Sequence, residues 1–199
     1  VTNEYKFTTD WFEWAPEIWK QLIPMLPSRE AFLEIGSYEG RSTTWIVENM
    51  MGEEGGQIIC IDTWEGGEEH ETMDGVEHNF DYNMKLLKAS HPKAIVGKHV
   101  GLSTNNLGGL IGDEEGWLEH FDFIYIDGSH IAKDVLTDAC MAWPLLKKGG
   151  LMVFDDYMWG PPRDALHRPK IAIDAFTNIF GEELAIVHMG YQLVVKKTV

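Results

Sequence analysis

The sequence predicts an α/β fold, a doubly wound and mostly parallel sheet of about seven strands with helices on both faces and a C-terminal antiparallel hairpin. Three observations carry this. Uninterrupted apolar runs recur along the chain: AFLEIG from Ala31, QIICID ending at Asp62, AIVG from Ala94, FDFIYID ending at Asp127 and LMVFDD ending at Asp156. Runs without polar alternation mark strands buried on both faces. Stretches with helical spacing separate them, so strand and helix alternate, and the tail ELAIVHMGYQLVVKK reads as two strands hinged at Gly190.

Taken in order, Trp11, Trp14, Ile18 and Leu22 fall at helical spacing with Pro16 suited to a first turn, so a helix runs toward Leu26. This N-terminal helical segment, about 1–28, packs on a single domain spanning 1–199. A helix follows from Gly40, another passes through Met84 and Leu87, and a short one lies near Leu107. The next covers 132–146, ahead of a stop at Gly149-Gly150, and a last one carries Ile171, Ile173, Ala175 and Phe176. The acidic, glycine-bearing stretch 65–77 reads as a mobile surface loop.

Sixteen basic against 32 acidic residues give a net charge of −16. Such a field repels phosphate backbones and anionic lipid surfaces, which argues against nucleic-acid and membrane partners. No apolar run is long enough to span a bilayer and no secretory pattern opens the chain, so a cytoplasmic protein is expected. Cys60 and Cys140 fall in apolar segments outside any metal-ligand spacing and read as buried thiols. The aromatic N-terminal segment either packs over the sheet or mediates a homodimer.

In a parallel sheet, ligands bind beyond the carboxyl ends of the strands. The first strand runs into Glu34-Ile35-Gly36-Ser37-Tyr38-Glu39-Gly40-Arg41-Ser42, where glycines allow a tight turn and close backbone approach to a ligand. The spacing lacks the GxGxxG that suits a pyrophosphate, favouring a nucleoside without phosphates over a dinucleotide. Asp62, at the end of the second strand, stands where such folds place a ribose ligand. Trp64 either covers an adenine or caps the core. Asp127, Asp155 and Asp156 close two further strands beside the same crevice, and three carboxylates repel unless a cation or a proton intervenes. Hard oxygen donors suit a divalent metal, magnesium first, with calcium or manganese as alternatives; otherwise Asp155 and Asp156 cap loop amides. His130, three residues after Asp127, is the candidate general base, with Asp127 as an alternative proton acceptor.

With FLEIGSYEGRS, the acid of IICIDTW, GLSTNNLGGL, FDFIYIDGSH and LKKGGLMVFDDY in this order, the chain resembles class I S-adenosylmethionine-dependent methyltransferases from about Ala31 onward. It is most similar to the metal-dependent small-molecule O-methyltransferases of catechol, caffeoyl-CoA and macrolide-sugar type. The resemblance implies a Rossmann-like fold in which Glu34, Gly36, Ser37 and Gly40 cradle the methionine part of S-adenosylmethionine and Ser42 lies near its carboxylate. Asp62 would hold the ribose, the Ser103 region would lie near the adenine, and Asp127 would border the cofactor. Asp127, Asp155 and Asp156 would bind the metal that orients a small-molecule acceptor. Catechol-type enzymes carry aspartate then asparagine at the second acidic pair and a lysine base where this chain has His130; the double aspartate is closer to the sugar-methylating branch. The stretch 65–77 and the aromatic N-terminal segment would close over the substrate. The rival readings are a non-catalytic nucleoside-binding or assembly protein and a nicotinamide-dependent oxidoreductase.

Overall fold

The computed structural model describes residues 4–67, 73–113, 116–160 and 164–199. Strands β1 (Ala31–Ile35), β2 (Gly56–Asp62), β3 (Ala94–Val100), β4 (Phe121–Ile126), β5 (Leu146–Phe154), β6 (Leu184–Met189) and β7 (Leu193–Lys197) form one sheet in the order β3-β2-β1-β4-β5-β7-β6. The first five are parallel, and β7 runs antiparallel between β5 and β6. The expected hairpin is therefore present, and it is inserted so that its second strand, the apolar LVV run, takes the inner place. Every residue of β1 and β4 is buried, which is why both read as largely apolar runs, each broken by one buried acid, Glu34 and Asp122.

Helices α1 (Ala15–Leu22), α2 (Arg41–Trp45), continued by a π-helical turn at Ile46–Met50, and α3 (Val76–Ser90) cover one face, burying Trp19, Ile46 and Phe80 against Phe32, Ile58 and Phe123. Helices α4 (Ser103–Gly112), α5 (Ala132–Ala142) and α6 (Pro169–Ile179) cover the other through Leu107, Val135, Ala139 and Phe176. None of the described helices is long and apolar enough to cross a membrane.

Three boundaries differ from the sequence reading. The N-terminal segment is helical only from Ala15, with Pro16 in the first turn, and Pro24 tightens the chain into a 3₁₀ turn at Ile23–Met25. Helix α5 stops at Ala142 because Pro144 cannot continue it, and β5 begins at Leu146, so Gly149-Gly150 lies inside the strand. Gly149 takes a left-handed φ of 81°, and the ladder to β4 shifts register between Phe121 and Phe123. The loop 65–77 is shorter than expected, since Val76 and Glu77 open α3, and residues 68–72 of it lie outside the described residues. Cys60 is buried on β2, but Cys140 is exposed. It follows Ala139 on α5, and one residue of helix turns the side chain about 100° off the buried stripe.

At the amino ends of the central strands, Asp122 is fully buried and accepts hydrogen bonds from Ser28 Oγ at 2.7 Å, Lys147 Nζ at 2.8 Å and the amides of Glu30 and Ala31 at 3.0 and 2.9 Å. Against the cost of burial, these donors hold its carboxyl below the usual aspartate range. The resulting stability is complete above the ordinary aspartate pKa and disappears as pH falls through the depressed native value. Asp122→Ala should therefore cost about 3 kcal/mol in urea unfolding at neutral pH, with the gap to wild type closing in acid. A loss under about 0.5 kcal/mol, of surface-substitution size, would contradict this.

Candidate active site

The strand order reverses direction between β1 and β4, and the crevice opens there. Gly36 ends β1 with φ 87°, its amide donating to Ile61 O at 2.8 Å. A Cβ at this position would stand 2.0 Å from the carbonyl oxygen of Asp127, so only glycine lets the two strand ends meet. Gly40 has φ 78°, and a Cβ there would press on Met84 and Phe80. Between these glycines, the amides of Ser37 and Tyr38 both donate to Asp62 Oδ2 at 2.8 Å, while Trp64 N donates to Oδ1 at 2.7 Å. Asp62 stands where the sequence placed it and holds the glycine turn in shape. Trp64 is buried, donates from its indole to Tyr38 O at 2.8 Å and packs on Phe80, so it caps the core.

Two lobes open from this turn. The first, about 560 Å³, is lined by Ser37, Ser42, Asp127, Asp155 and Asp156. The second, about 500 Å³, is lined by Leu102, Ser103 and Asp138. Gly36, Asp62, Gly128, His130 and Trp159 line both and mark the junction. The structure thus brings the predicted site residues together except Gly40, which turns the chain against Met84 and Phe80, and Glu34, which lies fully buried, accepts a hydrogen bond from Thr43 Oγ1 and, like Gly40, lines neither lobe. Burial raises the Glu34 pKa.

In the first lobe, Tyr125 Oη reaches Asp127 Oδ2 at 3.0 Å and also hydrogen-bonds Asp155 Oδ2. Gln192 Nε2 donates to that Asp155 oxygen at 3.2 Å, and the Asp156 amide donates to Asp155 Oδ1 at 2.7 Å. Gln192 is itself held by Trp19 Nε1 at 2.8 Å. Burial, then the charge of Asp155, pushes the Asp127 pKa well up; burial, then Asp156, pushes Asp155 to about 6. Tyr125 has one proton to give to two carboxylates, so the cluster is built to share protons. His130 Nε2 lies 2.6 Å from Asp156 Oδ2, and its ring packs at 4.3 Å on Trp159. Asp156 itself sits in the left-handed region, with φ 55°.

The oxygen donors of this cluster suit a hard divalent cation. Their arrangement does not: each carboxylate faces a protein donor, and among the described residues no three acidic, histidine or cysteine side chains gather around a common point.

The sequence reading expected the aromatic N-terminal segment to close over the substrate but did not identify the ties that hold it at the crevice. Buried Glu39 accepts from Thr8 N at 2.6 Å, Thr8 Oγ1 at 3.0 Å and Asn79 Nδ2 at 2.8 Å. Arg41 donates to Thr9 O at 2.8 Å and pairs with Asp10 at 3.1 Å. These ties lay residues 9–14 along the first lobe, where Trp11 packs on Tyr38 and Trp14 meets Tyr191 edge-on. Tyr125 was also missed, although strand alternation places it on the face of Asp127 two residues on.

The fold is shared with solved methyltransferases. The O-methyltransferase TomG from Streptomyces achromogenes, involved in tomaymycin synthesis and solved with S-adenosylmethionine, is 18% identical with a TM-score of 0.68, over 93% of this chain and 81% of its own. An O-methyltransferase from Bacillus cereus solved with S-adenosylhomocysteine is 17% identical with a TM-score of 0.63, over 99% and 84%. The MycE methyltransferase of the mycinamycin pathway, solved with Mg, S-adenosylhomocysteine and mycinamycin VI, is 19% identical with a TM-score of 0.58, over 97% of this chain and 50% of its own. No curated protein matches the chain by sequence. The family model described as a methyltransferase domain matches residues 33–157. The chain belongs to this methyltransferase family, and by family and fold it is a class I S-adenosylmethionine-dependent methyltransferase.

The ties through Glu39 predict that Glu39→Ala releases the segment over the first lobe. Amide exchange at Thr8 should accelerate about 10-fold, the worth of one or two lost hydrogen bonds. Unchanged protection there would show that Glu39 does not hold the segment.

Proposed function

We propose that the protein transfers a methyl group from S-adenosylmethionine to a hydroxyl of a small sugar-type or natural-product acceptor. The observation that carries this is the meeting, in one crevice, of the Asp62-anchored glycine turn and the His130–Asp156 pair. The second lobe, with Asp62 at its mouth, suits the nucleoside, and the turn from Ser37 to Gly40, with Ser42, suits the amino-acid end. Relatives of this fold that act in tomaymycin synthesis and on TDP-rhamnose support an acceptor of this class.

When bound, S-adenosylmethionine supplies a methyl group on a sulfonium, which an acceptor oxygen takes by displacement. The chain's own work is positioning and proton handling. Trp11, Phe12, Trp14, Trp159 and Tyr191 wall the first lobe and exclude water from the acceptor. The His130–Asp156 pair takes the hydroxyl proton as the oxygen–carbon bond forms, and Asp156 stabilises the resulting imidazolium. Tyr125 and Gln192 hold the proton-sharing Asp155 and Asp127 in place at the edge of the first lobe.

A second reading, in which a divalent metal orients the acceptor, is favoured by the three carboxylates on one cavity and by the magnesium in MycE. It requires Tyr125, Gln192 and His130 to release these carboxylates.

Calorimetric titration tests the proposal. S-adenosylhomocysteine should bind while NAD should not, and Asp62→Ala should weaken binding at least about 30-fold, because the turn loses two amide hydrogen bonds and the Trp64 amide a third. NAD binding, or none by the sulfur nucleoside, would sink the methyl-transfer reading. Magnesium and chelator arms separate the two mechanisms: metal-independent turnover of an acceptor sets the second aside, and loss of turnover on chelation, restored by magnesium, establishes it.

A further inference from the structure

Asp138 is a buried carboxylate that the mechanism above does not use. It lies on the apolar face of α5 with Val135, Ala139 and Ala142, and it is 2% exposed. An acid in the middle of a buried helical stripe is costly unless its acceptors are satisfied. The hydrogen bond found is from Ser103 Oγ to Oδ1, at 2.6 Å. The neighbouring acid, Asp134, is instead engaged by Ser129 at the start of the helix. Burial pushes the Asp138 pKa up to about 6, so at neutral pH the group is ionised and can only accept.

Its place gives this acceptor a use. Ser103 and Asp138 line the second lobe and not the first, whereas Asp62 lies at the junction of the two. A nucleoside whose ribose sits at Asp62 and whose tail enters the first lobe extends its base into the second, whose lining includes Leu102, Ser103 and Asp138. A carboxylate there, held in orientation by a hydroxyl, is complementary to an N–H donor and repels a carbonyl oxygen.

We infer that Asp138, oriented by Ser103, reads the exocyclic amine of the cofactor's adenine and so selects adenine against 6-oxopurines. This rests on the reading of the crevice as an S-adenosylmethionine site and adds the group that discriminates the base. It makes Asp138 a specificity residue with no part in proton transfer to or from the acceptor.

The test needs no methyl acceptor. S-adenosylhomocysteine and S-inosylhomocysteine, which differ by amine against oxo at one ring carbon, are titrated calorimetrically into wild type, Asp138→Asn and Ser103→Ala. Wild type should bind the inosine analogue at least about 30-fold more weakly, the scale of a lost hydrogen bond to a charged group plus carbonyl repulsion. Asp138→Asn, whose amide can donate to the oxo group, should collapse that ratio to within about 3-fold, and Ser103→Ala should reduce it. A wild-type ratio near one overturns the inference even if the variants fail to fold. A ratio that survives Asp138→Asn overturns it as well and leaves Asp138 as a cap for Ser103. Failure of wild type to bind either nucleoside overturns the cofactor reading itself, and is distinguishable from both.

Discussion

The site depends on the contact between the ends of β1 and β4. Gly36 lies so close to the Asp127 carbonyl that a single methyl group would overlap it, and Asp127 N in turn donates to Ile35 O at 2.8 Å. That approach sets the chain turning back over the crevice, and Asp62 fixes the turn by accepting two of its amides. It also brings Asp127 and, through β4–β5 pairing, Asp155 and Asp156 to the same edge. The crevice lining and the carboxylate cluster are thus positioned by one backbone constraint, at the edge of a densely buried core.

The carboxylate cluster shows how a fold can hold charge where water is scarce. Separate buried carboxylates would each raise a large desolvation cost, and their mutual repulsion adds to it. Here the cost is offset by shared protons and by neutral donors: Tyr125 between Asp127 and Asp155, Gln192 on Asp155, His130 on Asp156. Gln192 connects this network to Trp19 on the N-terminal helix, so the wall of the first lobe and the acids at its floor are mechanically joined.

Much of this was legible in the sequence because it is local. Apolar runs ending in acids mark central strands with functional ends, and the Glu34–Ser42 spacing marks a strand-turn-helix cradle. The residues of FDFIYID and LMVFDD lie at one crevice as expected. What was not legible depends on contacts between distant segments. Thr8 and Glu39 are 31 residues apart, Trp19 and Gln192 are 173 apart, and no local pattern announces either pairing. β7 (LVVKK) takes the place beside β5 although β6 (LAIVHM) carries the more apolar sequence, a placement that no local periodicity announces. Asp138 stood in plain view, since helical spacing puts it on the buried stripe of α5, where an acid calls for a reason. Glu34 lies fully buried and lines neither lobe, because an acid adjoining a glycine turn can sit behind the turn as readily as face the crevice.

The central claim is that one crevice at the β1–β4 switch point holds the nucleoside in one lobe and the reacting groups in the other. A crystal structure with S-adenosylhomocysteine tests it most directly. The account predicts the ribose at Asp62, the base against Ser103, and the homocysteine end along Ser37–Gly40 with its sulfur turned toward the His130–Asp156 pair. A nucleoside lying among Trp11, Trp14 and Tyr191, or bound away from the glycine turn, would contradict it.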